Sequence, residues 1–260
     1  MTTIQEFIDI IEDFAPLKLQ ESWDNSGVQL GYSLSRECTG VALSLDVNEY
    51  VVEQAILSGA NLLITHHPMI IHGVKNFTGV TPVSRIIERA IKNDLVIYSA
   101  HTSLDSCKGG INDALCEMLG LQNCGVLCPK PLIEDAGLGR YGYLPEPLSA
   151  SELAGHIKSV LNIEKLRFSD CGKAISRVAL CSGSGGGLIE EATKAGVDAY
   201  LCGDLKYHNF EECAAKGLSL FDFGHYESEI CTLEIFEREI SKKIPTFAPL
   251  KIRFNPITCI

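Results

Sequence analysis

Leu62-Leu63-Ile64-Thr65-His66-His67-Pro68 decides the fold. Four apolar or β-branched residues suit a short buried strand, and the chain then breaks into two histidines and a proline. Chemistry-bearing residues placed where a short strand ends are the mark of an open α/β sheet, whose ligands gather at the carboxyl ends of the strands. Upstream, Val41 to Val47 reads as another strand, and Asn48 caps a helix that stops at Gly59. Downstream, Thr81-Pro82 opens a helix with proline in its favoured first position. Leu95 to Ala100 is a strand that runs straight into His101, and Gly109 to Met118 is helical with Gly120 as its stop. At the N-terminus, Ile4, Phe7, Ile8, Ile11 and Phe14 recur at helical spacing behind a capping Thr3, and Pro16 ends the helix. Glu21 to Gly27 is rich in turn formers.

The second half repeats this grammar. A helix from Ser149 or Ser151 reaches Leu161, and a strand covers Ser176 to Cys181. After the glycine run Ser182 to Gly187 come a helix from Leu188 to Ala195 and a strand from Ala199 to Cys202 ending in Gly203-Asp204. A helix from about Asn209 to Lys216 and a strand from Leu218 to Phe223 lead to Gly224-His225, then one long helix to about Lys242 and a last strand, Leu250 to Phe254. Alternation of this kind predicts an α/β fold with largely parallel pairing. Tyr98-Ser99-Ala100-His101 with Asp105 parallels Asp222-Phe223-Gly224-His225 with Glu229, which points to an internal duplication or to βαβ grammar common to both halves. The junction is expected within 122–139, giving a first half over 1–124 and a second over 125–260, with the C-terminal strand able to pack back on the first.

Composition bounds the rest. The chain has 260 residues, with 46% hydrophobic and 21% charged, the balance of a globular protein with a substantial core. A net charge of -11 without any dense run of Lys and Arg disfavours nucleic acid as a partner. The N-terminal residues lack the basic start and apolar run of a signal peptide, and no apolar stretch is long enough to span a bilayer, so a cytoplasmic location is expected. The eleven cysteines are scattered without a Cys-x-x-Cys pair. Cys107, Cys116, Cys181, Cys202, Cys213 and Cys231 lie in apolar stretches, where such residues act as small buried hydrophobes.

The candidate chemistry lies in His66, His67, His101, Asp105, His225 and Glu229. A carboxylate four residues after a histidine shares one helical face with it. Imidazole and carboxylate together suit zinc, iron, manganese, cobalt or nickel. Four imidazoles and two carboxylates exceed the ligands of a closed structural zinc site, so a dinuclear centre with a bridging carboxylate fits better. It would leave room for water and hydrolysis. The glycine run could cradle a phosphate or form a tight turn. His72, His156 and His208 have no comparable setting.

These residues, taken in order, resemble a known family. Glu21-x-Trp23-Asp24-Asn25-x-Gly27, Thr65-His66-His67-Pro68, His101-Thr102-x-x-Asp105, Gly203-Asp204 and Gly224-His225-x-x-x-Glu229 resemble the NIF-three-like family in its compact form, whose members are called GTP cyclohydrolase type 2 homologues. The resemblance implies two similar α/β halves with a dinuclear metal site between them. It implies that His67, Asp105 and Glu229 bind one divalent ion and that His66, His225 and the same Glu229 bind the other. His101 then stands outside the ligand set as a supporting or proton-transferring residue, with His101 and Glu229 as the catalytic pair. It further implies a ring-shaped homohexamer and a small nucleotide substrate, with water attacking C8 of the guanine of GTP and formate released. Lys75, Arg140, Lys206 and the glycine run are the candidates for holding a triphosphate. A phosphoesterase or amidohydrolase with another substrate, and a non-catalytic metal-binding or scaffolding oligomer, stay open as alternatives.

Overall fold

The computed structural model describes residues 1–258. The elements run in the order α1 (Ile4–Phe14), β1 (Gly27–Leu30), β2 (Val41–Ser44), α2 (Glu49–Leu57), β3 (Leu62–Thr65), α3 (Pro82–Lys92), β4 (Val96–Ser99) and α4 (Thr102–Ser106). There follow α5 (Ile111–Met118), β5 (Gln122–Pro129), β6 (Gly137–Leu148), α6 (Ala150–Leu161), β7 (Arg167–Ser169), β8 (Ile175–Leu180) and α7 (Ile189–Lys194). The series closes with β9 (Ala199–Cys202), α8 (Tyr207–Lys216), β10 (Ser219–Asp222), α9 (His225–Glu229), α10 (Thr232–Lys243) and β11 (Leu250–Lys251). The chain divides into two compact units, residues 1–104 with 232–258, and residues 105–231. This cut lies at 104/105 rather than at the 124/125 junction read from the sequence. Strand β11 belongs to the first unit because it pairs in parallel with β2, Leu250 opposite Ala42.

The first unit holds a five-stranded sheet in the order β1-β4-β3-β2-β11. Every residue of β2, β3 and β4 is buried, as expected of parallel strands covered on both faces. Ala42, Leu63 and Ile97 pack with Val51, Val52 and Ala55 of α2 and Ile86 and Ala90 of α3. Helix α10 packs on β2 and α1 on α10, and the ring of Phe247, in the segment after α10, lies 4.6 Å from that of Phe7. Local chemistry sets the helix starts. Thr3 and Glu6 form a capping box at α1, the Asn48 side chain accepts from the Val51 amide at α2, and Thr81 caps α3 ahead of Pro82.

The second unit holds a six-stranded sheet in the order β5-β6-β8-β9-β10-β7. Strands β8, β9 and β10 are parallel, and β7 joins β10 antiparallel. The first sheet has the same plan, since β2, β3 and β4 are parallel and β1 joins β4 antiparallel. The orders β1-β4-β3-β2 and β7-β10-β9-β8 are one topology used twice, in the same chain sequence. The duplication read from short motifs thus extends to whole sheets.

Three features of the fold differ from what the sequence predicts. Pairing is mixed, because β5–β6, β6–β8, β1–β4 and β7–β10 are antiparallel. The stretch 122–139 read as a junction contains β5 and the start of β6. Strand β6 carries Gly137, Gly139, Gly142, Pro145 and Pro147, which read as strand breakers. Both prolines lie where the β6–β8 register shifts between Tyr143 and Leu148, the irregular kind of position at which a sheet tolerates proline. Finally, the expected long helix from His225 is two helices, α9 and α10. The Ser228 hydroxyl donates to the His225 carbonyl at 2.8 Å, side-chain competition of the kind that loosens a helical ladder.

Candidate metal-binding clusters

In the first unit, parallel strands deliver three imidazoles to neighbouring loops. His66 and His67 follow β3, and His101 follows β4 by two residues. Their ligand-capable atoms all lie within 4.8 Å of one another, and the ring centroids are 4.9 to 5.5 Å apart. Each ring is fixed through Nδ1. His66, fully buried, lies 2.9 Å from the Ala100 carbonyl oxygen. His67 meets Asp46 Oδ1 at 2.7 Å, and His101 meets Asp24 Oδ1 at 2.8 Å. A carbonyl or carboxylate oxygen only accepts, so Nδ1 carries the hydrogen in all three rings. In the neutral ring the lone pair is then on Nε2. Second hydrogen bonds of this type orient metal-binding histidines and raise their basicity.

Asp24 is itself tightly held. Burial alone would push its carboxyl up, but hydrogen bonds from His101, Thr102 and Ser26 outweigh it and hold the group well below the usual carboxylate range. Its Oδ2 accepts from the Thr102 amide at 3.0 Å and from the Ser26 hydroxyl at 2.9 Å. The turn-rich stretch before β1 is therefore a support for His101.

The second unit repeats the device. His225 starts α9 just beyond β10, and its Nδ1 lies 2.7 Å from Oδ2 of Asp204, which follows β9. One turn on, Glu229 places Oε2 3.0 Å from His225 Nε2. With Nδ1–H committed to Asp204, a neutral imidazole and a carboxylate face each other there as two acceptors. That approach is satisfied by a proton held between the two groups or by a metal ion bound to both. Asp105, on α4, accepts from the Ser182 hydroxyl at 3.0 Å. Asp105 and Glu229 are 7% and 3% exposed, and buried carboxylates are retained where charge compensates them.

The glycine run lies between these carboxylates. Gly183 has φ +58, and a Cβ there would stand 2.0 Å from Glu229 Oε1 and 3.2 Å from His225 Nε2. Its amide donates to Ser228 Oγ at 3.0 Å, and the Ser182 amide donates to Asn112 Oδ1 at 2.8 Å. Ser182 and Gly183 thus form a close-packed wall beside Glu229, and their two amides are already engaged rather than turned to a phosphate. Arg140 also leaves the list of phosphate partners. It is 2% exposed and binds Asp113 together with the carbonyls of Gly137, Gly139 and Cys107. Lys75 and Lys206 are exposed.

The remaining histidines stand apart from these clusters. His156 Nε2 bonds the Leu119 carbonyl at 3.0 Å, while His72 and His208 are exposed. Cys107, Cys116, Cys181, Cys202 and Cys213 are buried as expected, Cys231 only partly. Burial pushes the Cys107 thiol up to about 12, far from the thiolate a metal would need. Asp46 escaped the sequence reading. Its signal was available, since it follows β2 as Asp204 follows β9.

The family described as Duf34/NIF3 (NGG1p interacting factor 3) matches residues 2–258. The chain belongs to the DUF34/NIF3 family. A curated DUF34/NIF3 relative from Clostridium perfringens, named GTP cyclohydrolase 1 type 2 homolog, is 37% identical over 227 residues, 87% of this chain and 86% of its own. One of the same name from Methanocaldococcus jannaschii is 35% identical, covering 92% and 95%. Among solved structures, a Bacillus cereus protein related to NIF3 superposes with a TM-score of 0.90 at 25% identity, covering 100% and 99%. Reduced HcgD from Methanocaldococcus jannaschii gives 0.82 at 31% identity, covering 98% of each chain. The α/β architecture with two sheets is that of the DUF34/NIF3 proteins. Its His, Asp and Glu groups could hold a metal ion. No helix among the described residues is long and apolar enough to cross a membrane.

Proposed function

We propose that the two clusters act as one dinuclear divalent-metal centre in a hydrolase of a small nucleotide or heterocycle. His67, Asp105 and Glu229 would hold one ion, and His66, His225 and Glu229 the other, with Glu229 shared. The observation that carries this reading is the treatment of all four imidazoles. Each has Nδ1 held by an oxygen acceptor, so each neutral ring presents Nε2 as its donor atom. The donor set of imidazole and carboxylate fits zinc, iron, manganese, cobalt or nickel. A bound divalent ion supplies Lewis acidity, which polarises the substrate and acidifies water.

His101 is assigned proton transfer. Its Nε2 can accept a proton, and Asp24, facing Nδ1, stabilises the imidazolium that results. The relatives' name makes GTP the first substrate to test. Metal-loaded protein is expected to release formate from GTP, and Glu229→Gln to abolish this while the fold, read by circular dichroism, persists. A homohexameric ring in the cytoplasm goes with this reading, and light scattering of the purified protein tests the ring.

The grouping of His66, His67 and His101 within one unit favours a second reading, in which His101 is a ligand and the protein carries metal without catalysis. His101→Ala separates the two. Unchanged metal content with lost turnover supports proton transfer, and lost metal supports the carrier.

A further inference from the structure

We propose that Trp23 is a fixed stacking platform for a flat nitrogen heterocycle, and that this residue sets which substrates the site accepts. The inference rests on the reading of the site as one for a small nucleotide or heterocycle, and it names the part of the substrate that is gripped.

Trp23 is the only tryptophan in the chain, and it is 60% exposed. An indole is usually largely buried in a fold, so one left open calls for a use. Its place is specific. The ring meets His101 at 5.8 Å between centroids and 76° between planes, an edge contact. His101 in turn lies among His66 and His67, so the indole stands at the margin of the histidine cluster.

The backbone around Trp23 is pinned on both sides. The Glu21 amide donates to Thr102 Oγ1 at 2.8 Å, and the Asp24 amide donates to the Glu21 carbonyl at 3.0 Å. Asp24 anchors its carboxylate on His101, Thr102 and Ser26. Asn25 Nδ2 donates to the Ile70 carbonyl at 2.6 Å, joining this turn to the segment that follows His66-His67-Pro68. An aromatic ring that is open yet carried on an ordered backbone is preorganised for stacking, so little freedom is lost on binding.

The charge distribution favours gripping the ring over gripping the phosphates. The chain carries -11, and Arg140 is buried against Asp113. Stacking on an indole needs no positive charge, and every nucleobase offers a π-face to it.

The single tryptophan makes the test direct. Metal-loaded protein is titrated with guanosine, GTP, ribose 5-phosphate and inorganic triphosphate, following tryptophan emission and, in parallel, heat by calorimetry. Guanosine and GTP are expected to quench emission saturably, while the sugar phosphate and triphosphate leave it unchanged. Trp23→Phe should hold the calorimetric Kd for guanosine within about threefold, and Trp23→Ala should weaken it by about tenfold or more at unchanged metal content. Calorimetric binding without quenching, equal Kd in Trp23→Ala, or no binding of guanosine and GTP by either method overturns the platform. Turnover is scored separately. Quenching without conversion keeps the platform and removes GTP hydrolysis, whereas formate release from GTP with an unchanged KM in Trp23→Ala does the reverse.

Discussion

Gly183 shows how little room a single residue leaves beside a buried carboxylate. A methyl group there would come within 2.0 Å of Glu229 Oε1, and φ is +58 besides. Gly183→Ala should cost about 1–3 kcal/mol of stability, read by thermal unfolding, and should displace Glu229 and lower metal affinity by more than the loss of fold explains. Asp46 and Asp204 act through the imidazoles they face. Replacing either with Asn keeps its size and removes its charge, and should weaken metal binding about 10- to 100-fold in a chelator competition. For Asp24 the pH dependence has a definite sign. Its carboxyl is depressed in the folded chain, so the stability it contributes is present above the unfolded value of about 3.9 and is lost as pH falls below that value. Acid titration of unfolding should therefore be flatter below about pH 4 in Asp24→Asn than in the parent. Of these residues, the ligand candidates were legible because His and carboxylate recur at strand ends. Asp46 offered a fainter signal, its place just past β2 as Asp204 lies just past β9, because its contact with His67 joins two different strands and leaves no spacing in the chain.

At the scale of elements, helix starts were read well because their causes are local. Asn48 caps α2 through one hydrogen bond of 2.9 Å to the Val51 amide, and Asn48→Ala should cost about 1 kcal/mol in chemical denaturation. The buried parallel strands were equally plain, since β3 and β9 fall on the apolar runs 62–65 and 199–202. The antiparallel strands were hidden for opposite reasons. Strand β1 is four residues long with Gly27 at its head, and β6 is interrupted by three glycines and two prolines. Their strand character comes from partners far along the chain, Gly27 opposite Ser99 and Arg140 opposite Leu180, which local propensity does not report.

For the whole molecule, the proposed centre links charge, metal and stability. Two divalent ions would offset part of the charge of -11. Because a metal that binds only the folded chain stabilises it by mass action, a tight chelator should lower the unfolding temperature and returned metal should restore it. No shift on chelation would count against the centre. Matching sheets, β1-β4-β3-β2 and β7-β10-β9-β8, each place a histidine just past one strand and the aspartate that holds a histidine just past another.

Strand β11 and helix α10 complete the first unit, although residues 105–231 intervene. On the ribosome, the second unit therefore emerges whole while its predecessor still lacks a strand along Val41–Ser44. The nascent chain has a built-in order of maturation, and the half begun earliest is the last to close.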